Sequence, residues 1–159
     1  MDGDSEKRAV VFIKEIVPKP LITIIANTLY NENYETMKMS HAHSKNKKIY
    51  HFGRKSLDQS IAVNLENEKL NVKSGSHEEF ITEHYWGYAE IDEKSTNEYE
   101  VVHPKWTQRK VSSYDIKIDF ADIYGQSFHL LNQQKPFSVL YCDGSEVSVE
   151  NKTKIASKT

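Results

Sequence analysis

The sequence predicts an α+β domain of mostly antiparallel strands with about three short helices between them. Three observations carry that expectation. Apolar and polar residues alternate in short runs, most cleanly where Tyr114, Ile116, Ile118 and Phe120 interleave with Asp115, Lys117 and Asp119. Turn-forming stretches separate the runs, among them Ser44-Lys-Asn-Lys47 and Asp143-Gly144. Between the runs, three stretches switch to helical spacing or carry a helix-start signal.

In chain order, residues 1–7 are polar and expected to be loose. Arg8 to Val17 is dense in β-branched residues and reads as one strand covered on both faces, interrupted only by Lys14 and Glu15. Pro18 and Pro20 end it. A helix is expected from Pro20, because Leu21, Ile24, Ile25 and Leu29 share one face, with Tyr30-Asn31 at its end. Tyr34 to His43, Ile49 to Phe52 and Ser60 to Glu66 read as strands, and Leu70 and Val72 suggest a hairpin past Asn67-Glu68. Ser76-His-Glu-Glu79 has the capping-box pattern and starts a short helix through Phe80 and Ile81.

An aromatic hairpin comes next, from Thr82 to Trp106, turning in Asp92 to Asn97. It holds both tryptophans of the chain, so it dominates any core or pocket formed here. After a polar link and the strand ending at Phe120, a helical stripe runs through Ile123, Tyr124, Phe128 and Leu131. Gly125 inside that stripe costs about 1 kcal/mol of helix propensity. Pro136 to Tyr141 and Glu146 to Val149 are expected to pair around Asp143-Gly144. The tail, residues 151–159, is polar and expected to fray. The folded domain therefore spans residues 8–150.

Composition narrows the function classes. A chain of 159 residues fits one domain with one core. Its 21 basic residues nearly balance 23 acidic ones, which argues against a nucleic-acid partner. Mean hydropathy is −0.67, and the longest apolar-rich segment, Leu21 to Leu29, is far short of the roughly 20 residues a membrane span needs. No membrane partner is expected. The one cysteine, Cys142, has no internal disulfide partner, and the first residues lack a signal-peptide pattern, so a cytoplasmic location is expected. Cys142 lies in an apolar run and reads as a buried inert thiol.

Six blocks occur in an order that resembles a known family. They are Val11-Phe-Ile-Lys-Glu-Ile-Val-Pro-Lys-Pro20, Asn27-Thr-Leu-Tyr30 with Glu32-Asn-Tyr-Glu-Thr36, Glu79-Phe-Ile-Thr-Glu-His-Tyr-Trp-Gly-Tyr88, His103-Pro-Lys-Trp106, Asp119-Phe-Ala121 with Tyr124-Gly125, and Ser138-Val-Leu140 with Gly144-Ser-Glu-Val-Ser-Val149. Together they resemble the YqjF-like proteins, an uncharacterised bacterial family of unknown function (family 2071 of such domains). That family is similar in fold to acetoacetate decarboxylase, which implies an antiparallel barrel-like sheet around a small-molecule pocket. It implies no reaction.

The decarboxylase's Schiff-base lysine follows a Gly-Phe-Pro-type turn, and this chain has none. Lys38 is the nearest lysine, and an exposed strand position suits it better. The family's domains also carry an N-terminal portion before the Val11 block, so the barrel is expected to be incomplete here. An open sheet edge then favours self-association or pairing with a partner.

Five residues are candidates for lining a pocket: Glu15, Trp86, Tyr88, Tyr99 and His103. Folding the hairpin about Lys94-Ser95 sets Trp86 opposite His103, Tyr88 opposite Val101 and Glu90 opposite Tyr99. The four hairpin candidates then share one face. His103 there is either a proton donor and acceptor near neutral pH or a sheet histidine stacked on Trp86. Glu15 stands out because a carboxylate in an apolar strand needs a cation, hydrogen bonds or a raised pKa. His41, His43 and His51 offer a weaker alternative, a zinc-assisted hydrolase, against which the adjacent Lys45, Lys47 and Lys48 argue. No cofactor is expected. The reading is a domain that binds a small apolar or acidic organic molecule with no assignable reaction, or else an interaction domain.

Overall fold

The computed structural model describes residues 7–150 and 152–156. The architecture is α+β with mostly antiparallel strands, as the alternation predicts. The chain enters through β1 (Ala9–Val10) and β2 (Glu15–Val17). Next come α1 (Pro20–Ile25), a π-helical turn (Ala26–Tyr30), β3 (Tyr34–Thr36) and β4 (Lys38–His43). β5 (Lys47–Gly53) and β6 (Gln59–Leu70) lead to α2 (His77–Thr82), then to β7 (Trp86–Asp92) and β8 (Ser95–Val102). β9 (Gln108–Lys117), α3 (Phe120–Tyr124) and a 3₁₀ helix (Gln126–Gln133) follow. The last strands are β10 (Tyr141–Cys142), β11 (Ser148–Val149) and β12 (Thr153–Ala156).

One sheet runs β10-β9-β6-β5-β4 and is antiparallel throughout. β6 is a single strand of 12 residues with register shifts beyond Asn64, so the expected hairpin past Asn67-Glu68 is instead a bulged continuation. A second sheet runs β1-β7-β8-β11, with β12 also on β8. β2 and β3 form a separate parallel pair.

The expected strand from Arg8 to Val17 is corrected by this topology. β1 lies parallel to β7, whereas β2 lies parallel to β3, so the residues between them cross from one sheet to the other. Val11, Phe12 and Ile13 are exposed on that crossing. The expected hairpin around Asp143-Gly144 does not form either. β10 pairs with β9 and β11 with β8, so its two arms go to different sheets. The tail segment Thr153–Ala156, expected to fray, pairs with Glu98 to Ser95.

The core is small and sits between the first sheet, β2 and α3. Met37, Phe52 and Ile123 are buried, with Ile16, Ile61, Ile118 and Tyr124 packed around them. Met37 falls between β3 and β4, where the chain changes from one sheet to the other and its side chain turns inward. Helix ends follow their local chemistry. The Ser76 hydroxyl accepts the Glu79 N–H at 3.2 Å, worth about 1 kcal/mol as a cap. Glu79 returns to the Gly75 N–H at 2.8 Å, one residue beyond the position a capping box would give. The Asp119 carboxylate accepts from the N–H groups of Ala121 and Asp122. Gly125, at φ 100°, ends α3, so the single helix expected from Phe120 to Leu131 becomes two.

Candidate functional site

The β2–β3 pair organises the site. In its parallel register Glu15 stands beside Tyr34, and Ile16 beside Glu35. Neighbouring residues of a strand face opposite sides, so Ile16 packs on the core while Glu15 and Tyr34 face away from it. The residues Asn27 to Asn33 fold over this outer side. The Asn27 side-chain amide donates to the Tyr34 carbonyl at 3.0 Å and accepts from the Tyr34 N–H at 2.8 Å, which locks the helical turn onto β3. Asn31 takes the left-handed conformation, φ 59°, that ends such a helix, and its side chain donates to the Glu90 carbonyl on β7. Asn97 on β8 donates to the Tyr30 carbonyl at 2.9 Å. Glu32 is thereby held between the two structures, with the Tyr99 hydroxyl of β8 donating to its Oε1 at 2.5 Å.

The result is a cavity of about 210 Å³ lined by Ile22, Ile25, Ala26, Tyr30, Glu32, Tyr34, Tyr99 and Val149. Tyr30 meets Tyr99 edge to face, with ring centroids 5.8 Å apart. Burial pushes the Glu32 carboxyl above the usual carboxylate range, and the Tyr99 hydroxyl only partly offsets it. Burial also raises Glu15; the Tyr34 hydroxyl pulls it back part of the way, and the charge of Glu32 raises it further. The phenols of Tyr34 and Tyr99 are driven upward by burial first and by these two carboxylates second, so they act as hydrogen-bond donors.

Two larger hollows lack this chemistry. One, about 630 Å³, lies along β9 and the segment after the 3₁₀ helix, and its charged lining groups are the exposed Asp115 and Lys135. A shallower one of about 420 Å³ is bordered by Lys7, Arg8, Lys105, Glu79 and Glu83, alongside Tyr85 and Trp86. Its cations are already engaged. Lys7 pairs with Glu98, and Arg8 and Lys105 both approach Glu79.

The five sequence candidates divide between opposite faces. Tyr99 lines the Glu32 cavity, and Glu15 lies beside Tyr34, which lines it. Trp86 and Tyr88 do not, because Trp86 pairs with Glu100, Gly87 with Tyr99 and Tyr88 with Glu98. The actual turn is the two residues Glu93 and Lys94, and a register shift lies between Glu90 and Asp92. Relative to the expected register the partner of Trp86 moves by three residues. An odd shift carries Trp86 and Tyr88 to the face away from Tyr99. There the Lys7 ammonium lies 3.8 Å over the Trp86 ring, and the Tyr88 hydroxyl donates to Glu98 at 2.6 Å.

His103 lies beyond the end of β8, buried, with its ring stacked between Tyr85 at 4.9 Å and Trp106 at 4.3 Å. Its Nδ1 bonds to the Pro104 carbonyl at 3.0 Å, so it is a stacked histidine on Tyr85 and Trp106 rather than on Trp86. His51 pairs with Ser40, which puts it on the face opposite His41 and His43, and the three cannot share a metal. Lys38 is exposed and donates to the Lys55 carbonyl at 2.8 Å. The Cys142 thiol, partly rather than fully buried, is pushed up by burial first and then by the charges of Asp143 and Glu83, which disfavours its thiolate form.

Tyr30, Glu32 and Tyr34 were not singled out in the sequence as site residues. A polar loop after a helix gives Glu32 no periodicity to stand out from. The available signal was the block Asn27 to Tyr30 with Glu32 to Thr36, which contains all three residues and carries part of the family resemblance.

The fold and site define an α+β protein with a carboxylate- and tyrosine-floored pocket and apolar walls. The chain belongs to the family of uncharacterized conserved proteins designated DUF2071, whose match covers residues 1–146. No curated protein and no solved structure matches it. Among the described residues, no helix is long and apolar enough to cross a membrane.

Proposed function

We propose that the chain is a small-molecule-binding domain whose site is the Glu32 cavity. One observation carries this: Glu32, its carboxyl raised by burial, lines a cavity with apolar walls, and a second raised carboxyl, Glu15, stands beside the lining residue Tyr34. Carboxyls whose ionised form is disfavoured by burial in a concave apolar site are candidates for binding or catalysis. The resemblance to the acetoacetate decarboxylase fold supports a pocket-bearing architecture. It supports no Schiff-base reaction, because Lys38 is exposed and engaged elsewhere.

The test is a ligand-observed NMR screen of a chemically mixed fragment set against the full chain. A paired site-blocking variant gives it specificity. Ile25 lines the cavity and is 44% exposed, so Ile25→Trp fills the site without overpacking the core. Ile24→Trp, at an exposed position outside the lining, is the control. Hits should disappear in the first variant and persist in the second. Hits indifferent to Ile25→Trp would remove the cavity from consideration.

A second reading, self-association, is favoured by α1. Residues 20–31 contain no charged side chain, yet Leu21, Ile22, Ile24, Ile25 and Leu29 are exposed, and so are Val11, Phe12 and Ile13. Monomers rarely leave so much apolar surface open. Light scattering over a concentration series tests it, with Leu21→Lys and Ile24→Glu expected to shift any dimer toward monomer. A monomer at all concentrations would end this reading.

A further inference from the structure

We infer that the Glu32 cavity takes an organic ammonium, a protonated amine carried on a small apolar or aromatic body. This rests on the cavity being a ligand site, and it excludes the acidic ligand expected from the sequence.

The charges around the cavity are one-sided. Its lining contains Glu32 and no lysine, arginine or histidine, and Glu15 adds a second carboxyl beside Tyr34. Three partly buried carboxylates elsewhere are matched with cations, whereas buried Glu83 is held by the Tyr85 hydroxyl alone among the described residues. Glu35 receives Lys14 and Arg54, Glu98 receives Lys7, and Glu79 receives Arg8 and Lys105. Among the described residues neither Glu15 nor Glu32 has such a partner, although the chain carries 21 basic residues. A carboxylate taken out of water without a cation is unfavourable, and a bound ammonium removes that cost.

Hydrogen bonding agrees with the charge. The Tyr99 hydroxyl occupies Glu32 Oε1 and leaves Oε2 with no protein donor among the described residues, so one acceptor position remains for an incoming N–H. The aromatic content agrees as well. Tyr30, Tyr34 and Tyr99 present ring faces and edges of the kind that gather around ammonium groups. The chain's own Lys152 places its ammonium 5.7 Å from the centroid of the Tyr30 ring. Ile22, Ile25, Ala26 and Val149 supply the apolar wall that an inorganic cation would not need. A dry cavity of about 150 Å³ accommodates benzene, so the 210 Å³ here suits an arylalkyl amine with a short arm.

The experiment titrates the full chain at neutral pH with three probes of one shape: 2-phenylethylamine, 2-phenylethanol and phenylacetate. The amine should bind about tenfold or more tighter than the alcohol, the margin expected for hydrogen bonds to a charged group, with the carboxylate weakest. In Glu32→Gln, which keeps an acceptor for Tyr99, the preference for amine over alcohol should collapse to within about threefold. An alcohol that binds as tightly as the amine would overturn the ammonium assignment while leaving the cavity a ligand site. Binding by none of the three, with Ile25→Trp indistinguishable from the parent chain in the fragment screen, would overturn both. An amine preference that survives Glu32→Gln unchanged would move the ligand away from this carboxylate and overturn the inference.

Discussion

Glu15 and Glu35 sit on the two strands of one parallel pair, a single register step apart, and their carboxyls shift in opposite directions. Burial acts to raise both. At Glu35 it is outweighed by hydrogen bonds and charge from Arg54 and Lys14, and Arg54 continues to Asp122 at 2.8 Å. At Glu15 no cation answers, and the neighbouring charge of Glu32 adds to the rise. The two faces of one small sheet therefore do different work. The Ile16–Glu35 face joins the core and is neutralised internally, whereas the Glu15–Tyr34 face is left electrically unfinished toward a cavity. Partly buried charge that a fold completes reads as structural, and charge that it leaves without a cation beside a cavity is a candidate binding position.

The contrast can be broken from either side, and the largest effect should come from the core. Met37 is 2% exposed, and Met37→Ala should cost about 2–5 kcal/mol by urea denaturation. Ile25→Ala, at the open cavity wall, should cost far less. Equal losses would mean that the cavity side is packed as tightly as the core. Next comes Gly87, where an added Cβ would lie 2.3 Å from the Tyr99 ring. Gly87→Ala should destabilise by about 1–3 kcal/mol and displace Tyr99 from Glu32, visible in the near-ultraviolet circular dichroism of the tyrosines. An unchanged spectrum would show that the ring is not held over Gly87.

Smaller effects separate the two carboxylates by pH. Glu35 lies below its ordinary value, so its contribution is present above about pH 4.5 and is lost as pH falls through the lowered value. Arg54→Ala should cost about 1 kcal/mol or less at neutral pH, given the partial exposure of the pair, and should weaken this acid-side loss. Glu15 and Glu32 lie above their ordinary value, so the opposite sign holds. Their contribution is present below about pH 4.5 and is lost as pH rises through the raised values. Glu15→Gln should thus raise the melting temperature at pH 8 by a degree or two, roughly the effect of several tenths of a kcal/mol, and flatten the decline above pH 4.5. A lower melting temperature at pH 8 would mean that ionised Glu15 is stabilising after all.

Much of the fold was legible because alternation and turn chemistry are local. The strand around Ile116, the Ser76 cap and the stop at Asn31 can be read from a few adjacent residues each. What was not legible depended on partners far along the chain. Nothing within Arg8 to Val17 reveals that Val10 will follow Gly87 while Glu15 follows Tyr34, so one apolar run reads as one strand. The aromatic hairpin lacks the Asn-Gly or Asp-Gly pair that would pin its turn, and a symmetric fold about Lys94-Ser95 missed the tighter turn at Glu93-Lys94. At the site, Glu15 was visible because it interrupts an apolar strand, and Tyr99 because it belongs to an aromatic cluster. Their convergence on Glu32 was invisible, since it depends on how the Asn27 to Asn33 segment closes over β3 and β8.

The far edge of β8 is covered by chain that a ribosome delivers well after β8 itself. Ser148 and Val149 pair with Val102 and Val101, and Thr153 to Ala156 with Glu98 to Ser95. Val149 is also a wall of the cavity. During synthesis the β4-β5-β6-β9 sheet can assemble as soon as β9 emerges, because each of its strands has a partner already made. The Glu15–Glu32 pocket, in contrast, gains its last wall only when the region around residue 149 is free. A nascent chain thus acquires its stable core first and the last wall of this cavity afterwards.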